Sequence, residues 1–251
     1  NPAHELVREH IRAGGRACAL EAGVNGEMIT LYDHGAHIPL LWTHLIPATL
    51  DGRALHNVQN AMFAAVMAFS MGIKLDSIRN GLRTFDTSFF QAPGRMNVYS
   101  DHPFRVILVY GHNAHAVGAM VELTARLDVR GRRIVVVAAP GDRRDEDIRA
   151  IAETVAGHFD AYICRRDDTL RGRDGDEVPR LLARALAASG VPADQVQEIP
   201  DEQAAIDHAL RMARAGDLVL IFGDSLQRSW DQITSFRPDG SEAPLRTTGE
   251  F

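Results

Sequence analysis

The stretch PGRMNVYSDHPFRVILVYGHNAHAVGAM, Pro93 to Met120, decides how the chain is read. It runs through a Gly-Arg pair, a short polar connector, a continuous apolar run from Arg105 to Tyr110, a polar turn from Gly111 to His115, and a helical pattern. An apolar run without polar alternation fits a strand covered on both faces of a parallel sheet. A polar turn leading from such a strand into a helix is where backbone N–H groups and side chains meet ligands.

Toward the carboxyl terminus the pattern repeats. Strands are predicted at Arg105 to Tyr110, Arg133 to Ala139, Ala161 to Cys164, Val196 to Ile199 and Leu218 to Phe222. Helical patterns separate them at Ala116 to Leu127, Glu146 to Gly157, Glu177 to Ser189 and Gln203 to Ala215. Strands joined by helices demand crossover connections, hence an α/β fold with a mostly parallel sheet of about five strands. Its ligand-facing turns would be Gly111 to His115, Pro140 to Arg144, Arg165 to Arg173, Pro200 to Glu202 and Gly223 to Gln227. Arg165, Arg166, Arg171 and Arg173 are interleaved with acids and read as a solvated, salt-laced surface. Asp145 reads as the cap of the helix that follows it.

Toward the amino terminus the period changes. Leu6 to Ala13 is helical in pattern, and Ala17 to Leu41 alternates in short runs broken by Gly23, Gly26 and Gly35, as antiparallel hairpins do. From Leu55 an almost wholly apolar helix, too greasy to face solvent on a broad side, runs to a stop at Gly72, with Asn57 as its N-cap. Asp76 would cap a second helix that ends near Phe85. The domain boundary falls near Asn97. His34, His37 and His44 lack the spacing of two ligands on one helical turn, and no carboxylate or cysteine completes a set, so no metal site is assigned.

Composition narrows the function classes. The 251 residues are 45% hydrophobic and 24% charged, with net charge -6, which gives no broad attraction to nucleic acid or anionic lipid. Two cysteines far apart fit a reducing cytoplasm, and no apolar run approaches membrane-spanning length. No GxGxxG or GxxxxGK[ST] phosphate loop occurs. The chain starts Asn-Pro-Ala-His without a methionine and reads as a piece of something longer.

The order HNVQNAMFAA from His56, then Gly94-Arg95, then Tyr110-Gly111-His112-Asn113, then a βα domain resembles the Mur ligase superfamily. RNGLRTF from Arg79, PGRMN from Pro93, GDRRDEDIRA from Gly141, Arg171 to Arg173 and GDLVLIFGDSLQRSWDQI from Gly216 are similar to the carboxyl-terminal region of the cyanophycin synthetase family. The resemblance implies the end of a Mur-type central, ATP-binding domain over residues 1–96 and a Rossmann-like lid over residues 97–251. It implies an ATP-dependent amide ligase that adds the α-amine of arginine to aspartate β-carboxylates of a polyaspartate chain through an acyl phosphate. ATP and Mg²⁺ would be the cofactors, with the principal metal ligands in the amino-terminal part; the full-length protein would be a cytoplasmic homo-oligomer, and the fragment alone would be inactive.

By position in that family, Asn57 and Asn60 would lie at the adenine edge, and Arg95 would reach the polyphosphate from the hinge. Asn113 would help bind the nucleotide, and His112 reads either as orienting a phosphate or carboxylate or as a cap or satisfied interior residue of the strand-to-helix turn. Asp142, Arg143, Arg171 and Arg173 would meet the substrates, and Asp142, Asp168, Asp174 or Asp224 would receive the arginine guanidinium. The family pattern Asp-Tyr-Ala-His-Asn-Pro is Val109 to Ala114 here, so an apolar Val109 stands where the resemblance calls for an acid. Two rivals remain open: a degenerate lid serving as a binding or assembly module, and a Mur-type ligase with another substrate.

Overall fold

The structure, a computed structural model, describes residues 1–238. The chain divides into two compact units, Asn1–Pro93 with Gly118–Asp128, and Gly94–Val117 with the chain from Val129 onward.

In the first unit, helix α1 (Glu5–Arg12) precedes three antiparallel strands, β1 (Ala17–Gly23), β2 (Gly26–Asp33) and β3 (Ala36–Trp42), in the order β1-β2-β3. His34 and Gly35, both with positive φ, make the tight turn between β2 and β3. Helices α2 (Leu55–Ser70) and α3 (Leu75–Thr84) follow. Ile29, Leu31 and Leu41 of the sheet join Ala61 and Ala65 of α2 and Ile78 of α3 in one core. Gly72, at φ 79, ends α2: its N–H bonds to Phe69 and that of Ile73 to Ala68, a paired closure that leaves a side chain no comfortable φ.

Three expectations here are corrected. Asn57 does not cap α2; it lies in the first turn after Ala54, and its amide donates to the Ala48 carbonyl at 2.7 Å. Asp76 lies inside α3, whose N-cap position is Lys74, and it pairs with Arg79 at 3.1 Å. The apolar helix is not covered all round: Val58, Ala61 and Ala65 are buried, whereas Phe63 is 68% and Met67 61% exposed. Alanines on one side let the sheet approach closely, so the larger side chains fall on the other.

The second unit is a six-stranded sheet in the order β4-β5-β9-β6-β7-β8, formed by β4 (Asn97–Tyr99), β5 (Arg105–Val109), β6 (Arg133–Val137), β7 (Ala161–Cys164), β8 (Val196–Glu198) and β9 (Leu218–Phe222). Only β4 is antiparallel, pairing Asn97 with Leu108 and Tyr99 with Val106. Helices α4 (Ala114–Arg126), α5 (Asp145–Val155), α6 (Glu177–Ala188) and α7 (Glu202–Met212) link the parallel strands, and α8 (Leu226–Ser235) follows β9. Val106 to Leu108, Ile134 to Val137 and Leu218 to Phe222 are all buried, as double coverage requires.

The mostly parallel α/β sheet is as expected, with differences at its ends. The polar connector after Pro93 contains β4, whose three residues are too few to show a period. The turn Gly223 to Gln227 runs into α8, a helix the sequence reading left out; its polar face carries Gln227, Arg228 and Asp231, while Ser229 and Ile233 are buried. Asp145 is the first residue of α5, and Arg144 holds the cap position.

Candidate functional site

The carboxyl ends of β5, β9, β6 and β7 gather the polar turns of the second unit on one edge of the sheet. On the β5 side, the turn from Pro93 to Asn97 is pinned from both directions. The Gly94 N–H donates to Asn97 Oδ1 at 2.7 Å, and its carbonyl accepts from the Tyr110 N–H at 2.8 Å. Gly94 has φ 71, and a Cβ there would stand 2.6 Å from Leu226 Cδ1 and 3.0 Å from Tyr110 Cβ, so only glycine fits. Met96, buried, also has positive φ, 61, an uncommon conformation for a residue of its bulk. Between these two left-handed residues, Arg95 is exposed, and no ion pair or hydrogen bond within the described residues holds its guanidinium.

His112 follows Tyr110 across the polar turn, the two rings 5.0 Å apart. Its Nδ1 is buried without a partner among the described residues. Asn113 caps α4, its Oδ1 accepting from the Ala116 N–H at 2.8 Å. Val109 is 8% exposed, and its carbonyl accepts from the Gly223 N–H at 2.9 Å.

The turns after β6 and β7 are tied to each other. Arg173 donates to the carbonyls of Gly141 at 2.8 Å and Arg143 at 2.7 Å, and to the carboxylates of Asp145 at 2.9 Å and Glu177. Arg171 pairs with Asp142 at 3.2 Å, and their attraction holds the guanidinium above its ordinary pKa. The Arg143 side chain is exposed and unpaired among the described residues. The structure therefore brings Asp142, Arg143, Arg171 and Arg173 together, but spends Arg173 on the joint between the two loops. Asn57 and Asn60 belong to the first unit, where the Asn60 amide donates to Asn57 Oδ1 at 3.2 Å. His37 bonds to Glu21 at 3.0 Å, and among the described residues no three His, Cys, Asp or Glu side chains converge as metal ligands do.

Sequence reasoning missed a buried charge network on this edge. Arg165, read as surface, is 1% exposed, and Glu202 is 0% exposed. Arg165 reaches Glu202 and Asp167 at 3.4 Å each, and Arg228 bridges Glu202 at 3.3 Å and Asp168. Burial works to raise the Glu202 carboxyl, but Arg165, the N–H groups of Asp224 and Ser225 and the Ser229 hydroxyl outweigh it and hold it below its ordinary value. Asp167 is pushed up, by burial first, against the pull of Arg165 and with the help of Asp224. The available signal was Arg165 directly abutting the apolar run of β7 with no turn residue between.

The description "Mur ligase, glutamate ligase domain" matches residues 94–225, which hold most of this edge, Arg228 lying just beyond. The chain belongs to the Mur ligase family. It is similar to the cyanophycin synthetase of Trichormus variabilis, 39% identical over 240 residues, which cover 91% of this chain and 25% of the relative. With that of a Synechocystis species it shares 32% identity, covering 96% of this chain and 27% of the relative. The chain thus spans about a quarter of the length of these relatives. Among solved structures, a murein peptide ligase from Psychrobacter arcticus is similar at TM-score 0.60 and 16% identity, over 94% of this chain and 51% of that one. A folylpolyglutamate synthase from Mycobacterium tuberculosis, complexed with ADP and AMPPCP, is similar at TM-score 0.58 and 20% identity, over 93% and 52%. At these identities the likeness is one of fold, the Mur-ligase α/β architecture.

Proposed function

We propose that this Mur-family chain is part of an ATP-dependent ligase that joins the α-amine of arginine to aspartate β-carboxylates of a polyaspartate chain, as in cyanophycin synthesis. Residues 1–96 would end its ATP-binding domain and residues 97–251 would form its lid. Similarity to cyanophycin synthetases over more than nine-tenths of the chain supports the substrate class. The geometric observation that carries the ligase reading is the strained turn at Gly94 and Met96, which presents an unpaired Arg95 beside the β5 end.

ATP supplies the phosphoryl group that activates a carboxylate toward an amine. Arg95 offers a forked, permanently charged guanidinium to a polyphosphate and to charge that builds during transfer. His112 has an uncommitted Nδ1 for a phosphate or carboxylate oxygen, and the Asn113 amide N–H₂ remains open to an acceptor while its oxygen caps α4. The attacking amine has one proton to lose, so no strong base is needed here. The sequence carries no GxxxxGK[ST] motif, and the phosphate loop and the principal Mg²⁺ ligands are assigned in this proposal to other parts of the complete protein.

The test is ADP release by the complete gene product with ATP, L-arginine and a polyaspartate primer, run beside the 251-residue chain alone. Release that needs all three components, with none from the short chain, is the expected result. Arginine-independent release, or ligase-rate turnover by the short chain, would sink the proposal. Val109 favours a second reading, a lid retained as a binding module, because an apolar side chain fills the position where the family pattern has an acid. A large gain in arginine-dependent turnover from Val109→Asp would support that reading, and no change would support compensation by neighbours.

A further inference from the structure

Glu202, the first residue of α7, joins two turns of the carboxyl edge from a position solvent does not reach. Its Oε1 accepts from the Asp224 N–H at 2.7 Å and the Ser229 hydroxyl at 3.2 Å, and its Oε2 from the Ser225 N–H at 3.2 Å and Arg228 at 3.3 Å. Arg165 balances its charge from 3.4 Å. A buried carboxylate is costly to desolvate, and an ion pair of this kind adds little stability over an apolar equivalent. What this one does locally is specific: it fixes the backbone of Asp224 and Ser225, where β9 turns into α8.

Asp224 gains a defined place from that anchoring. β9 lies between β5, which leads to His112, and β6, which leads to Asp142, so Asp224 stands mid-edge. Its charge acts on both Asp167 and Arg171. Of the four acids the sequence offers for a cationic substrate group, Asp142 is paired with Arg171 and Asp168 with Arg228. Asp174 is exposed on the loop before α6, where water screens its charge, although it lines a small cleft with Gly141 and Asp167. Asp224 is half-buried, its backbone is held, and its carboxylate has no hydrogen bond or ion pair among the described residues.

We propose that Asp224, positioned by Glu202, selects the cationic incoming amino acid by pairing with its guanidinium. This rests on the arginine-ligase reading above. A fixed carboxylate at a desolvated edge attracts a guanidinium and disfavours a neutral side chain of the same shape, because pairing must repay the loss of water.

The experiment measures steady-state ADP release by the complete gene product with ATP and a polyaspartate primer, using L-arginine or L-citrulline, its neutral near-isostere. Asp224→Asn is expected to raise the KM for arginine about tenfold to a hundredfold, leave the KM for ATP unchanged, and shrink the preference for arginine over citrulline by a similar factor. Glu202→Gln sets an N–H₂ against backbone donors and is expected to move the same two quantities in the same direction. Because Glu202 is buried, that variant is read only where circular dichroism shows it folded; Asp224→Asn, at a half-buried position, decides the matter in either case. Wild-type arginine KM and preference in Asp224→Asn would overturn the inference and leave the ligase reading intact. The same result in folded Glu202→Gln would overturn the positioning role. Wild-type protein that releases no ADP with arginine and primer would instead overturn the ligase reading, and this inference with it.

Discussion

Arg95 and Arg173 stand on the same edge of one sheet, and the structure uses them in opposite ways. Arg173 is surrounded by acceptors from its own chain, the carbonyls of Gly141 and Arg143 and the carboxylates of Asp145 and Glu177. Arg95 has none among the described residues: Gly94 before it is tied to Asn97 and Tyr110, and Gly94 and Met96 on its two sides take left-handed conformations. An arginine in an acid-rich loop is consumed by that loop. One carried on a pinned, strained turn stays available, at a conformational cost of about 1–3 kcal/mol per strained non-glycine residue.

The contrast can be broken by substitution. Arg95→Ala should lower kcat for ligation by the complete gene product about 10²–10³-fold, with an unchanged thermal midpoint; loss of stability in place of rate would mean that Arg95 is structural. Arg173→Ala should cost about 2–3 kcal/mol in urea denaturation, since it strands two loop carbonyls and unties the turns after β6 and β7. Arg143→Ala, one turn away and unpaired, should leave the same midpoint in place. Equal effects from the two would erase the distinction.

The smallest effect is one of pH. Glu202 is held below the 4.5 of an ordinary glutamate, so between its folded and unfolded values the unfolded chain binds more protons. Its contribution to stability is complete above about pH 4.5 and is lost as pH falls through the depressed value. Denaturation midpoints should decline on acidification through that window, and a folded Glu202→Gln variant should show a shallower decline.

Much of the fold was legible because burial on two faces leaves a plain mark: the runs that became β5, β6, β7 and β9 are apolar without interruption, and helical patterns fill the gaps between them. What escaped was set by tertiary contact. β4 is three residues long and exists through its pairing with β5, and α8 has a mostly polar first turn that hides its buried Ser229 and Ile233. Asn57 and Asp145 have the right chemistry for caps, but their backbones were already inside helices. At the edge, sequence pointed to Arg95, His112 and the arginine loops, yet could not say which donors were spent. Arg165 looked like its neighbours until its place beneath Glu202 showed that a charged residue can belong to the core.

The place of β9 has a consequence for how the molecule is made. It is the last strand among the described residues, yet it lies between β5 and β6, which precede it by more than eighty residues. On the ribosome, β5 and β6 emerge early with open edges and no partner for each other in the native order. The sheet cannot close until the segment Leu218 to Phe222 has been synthesised and slotted into the middle, a step governed by contacts distant in sequence and therefore slow. A chain that stops short of Leu218 would lose the seam of the sheet and the Asp224 turn together, leaving two apolar edges open to other molecules.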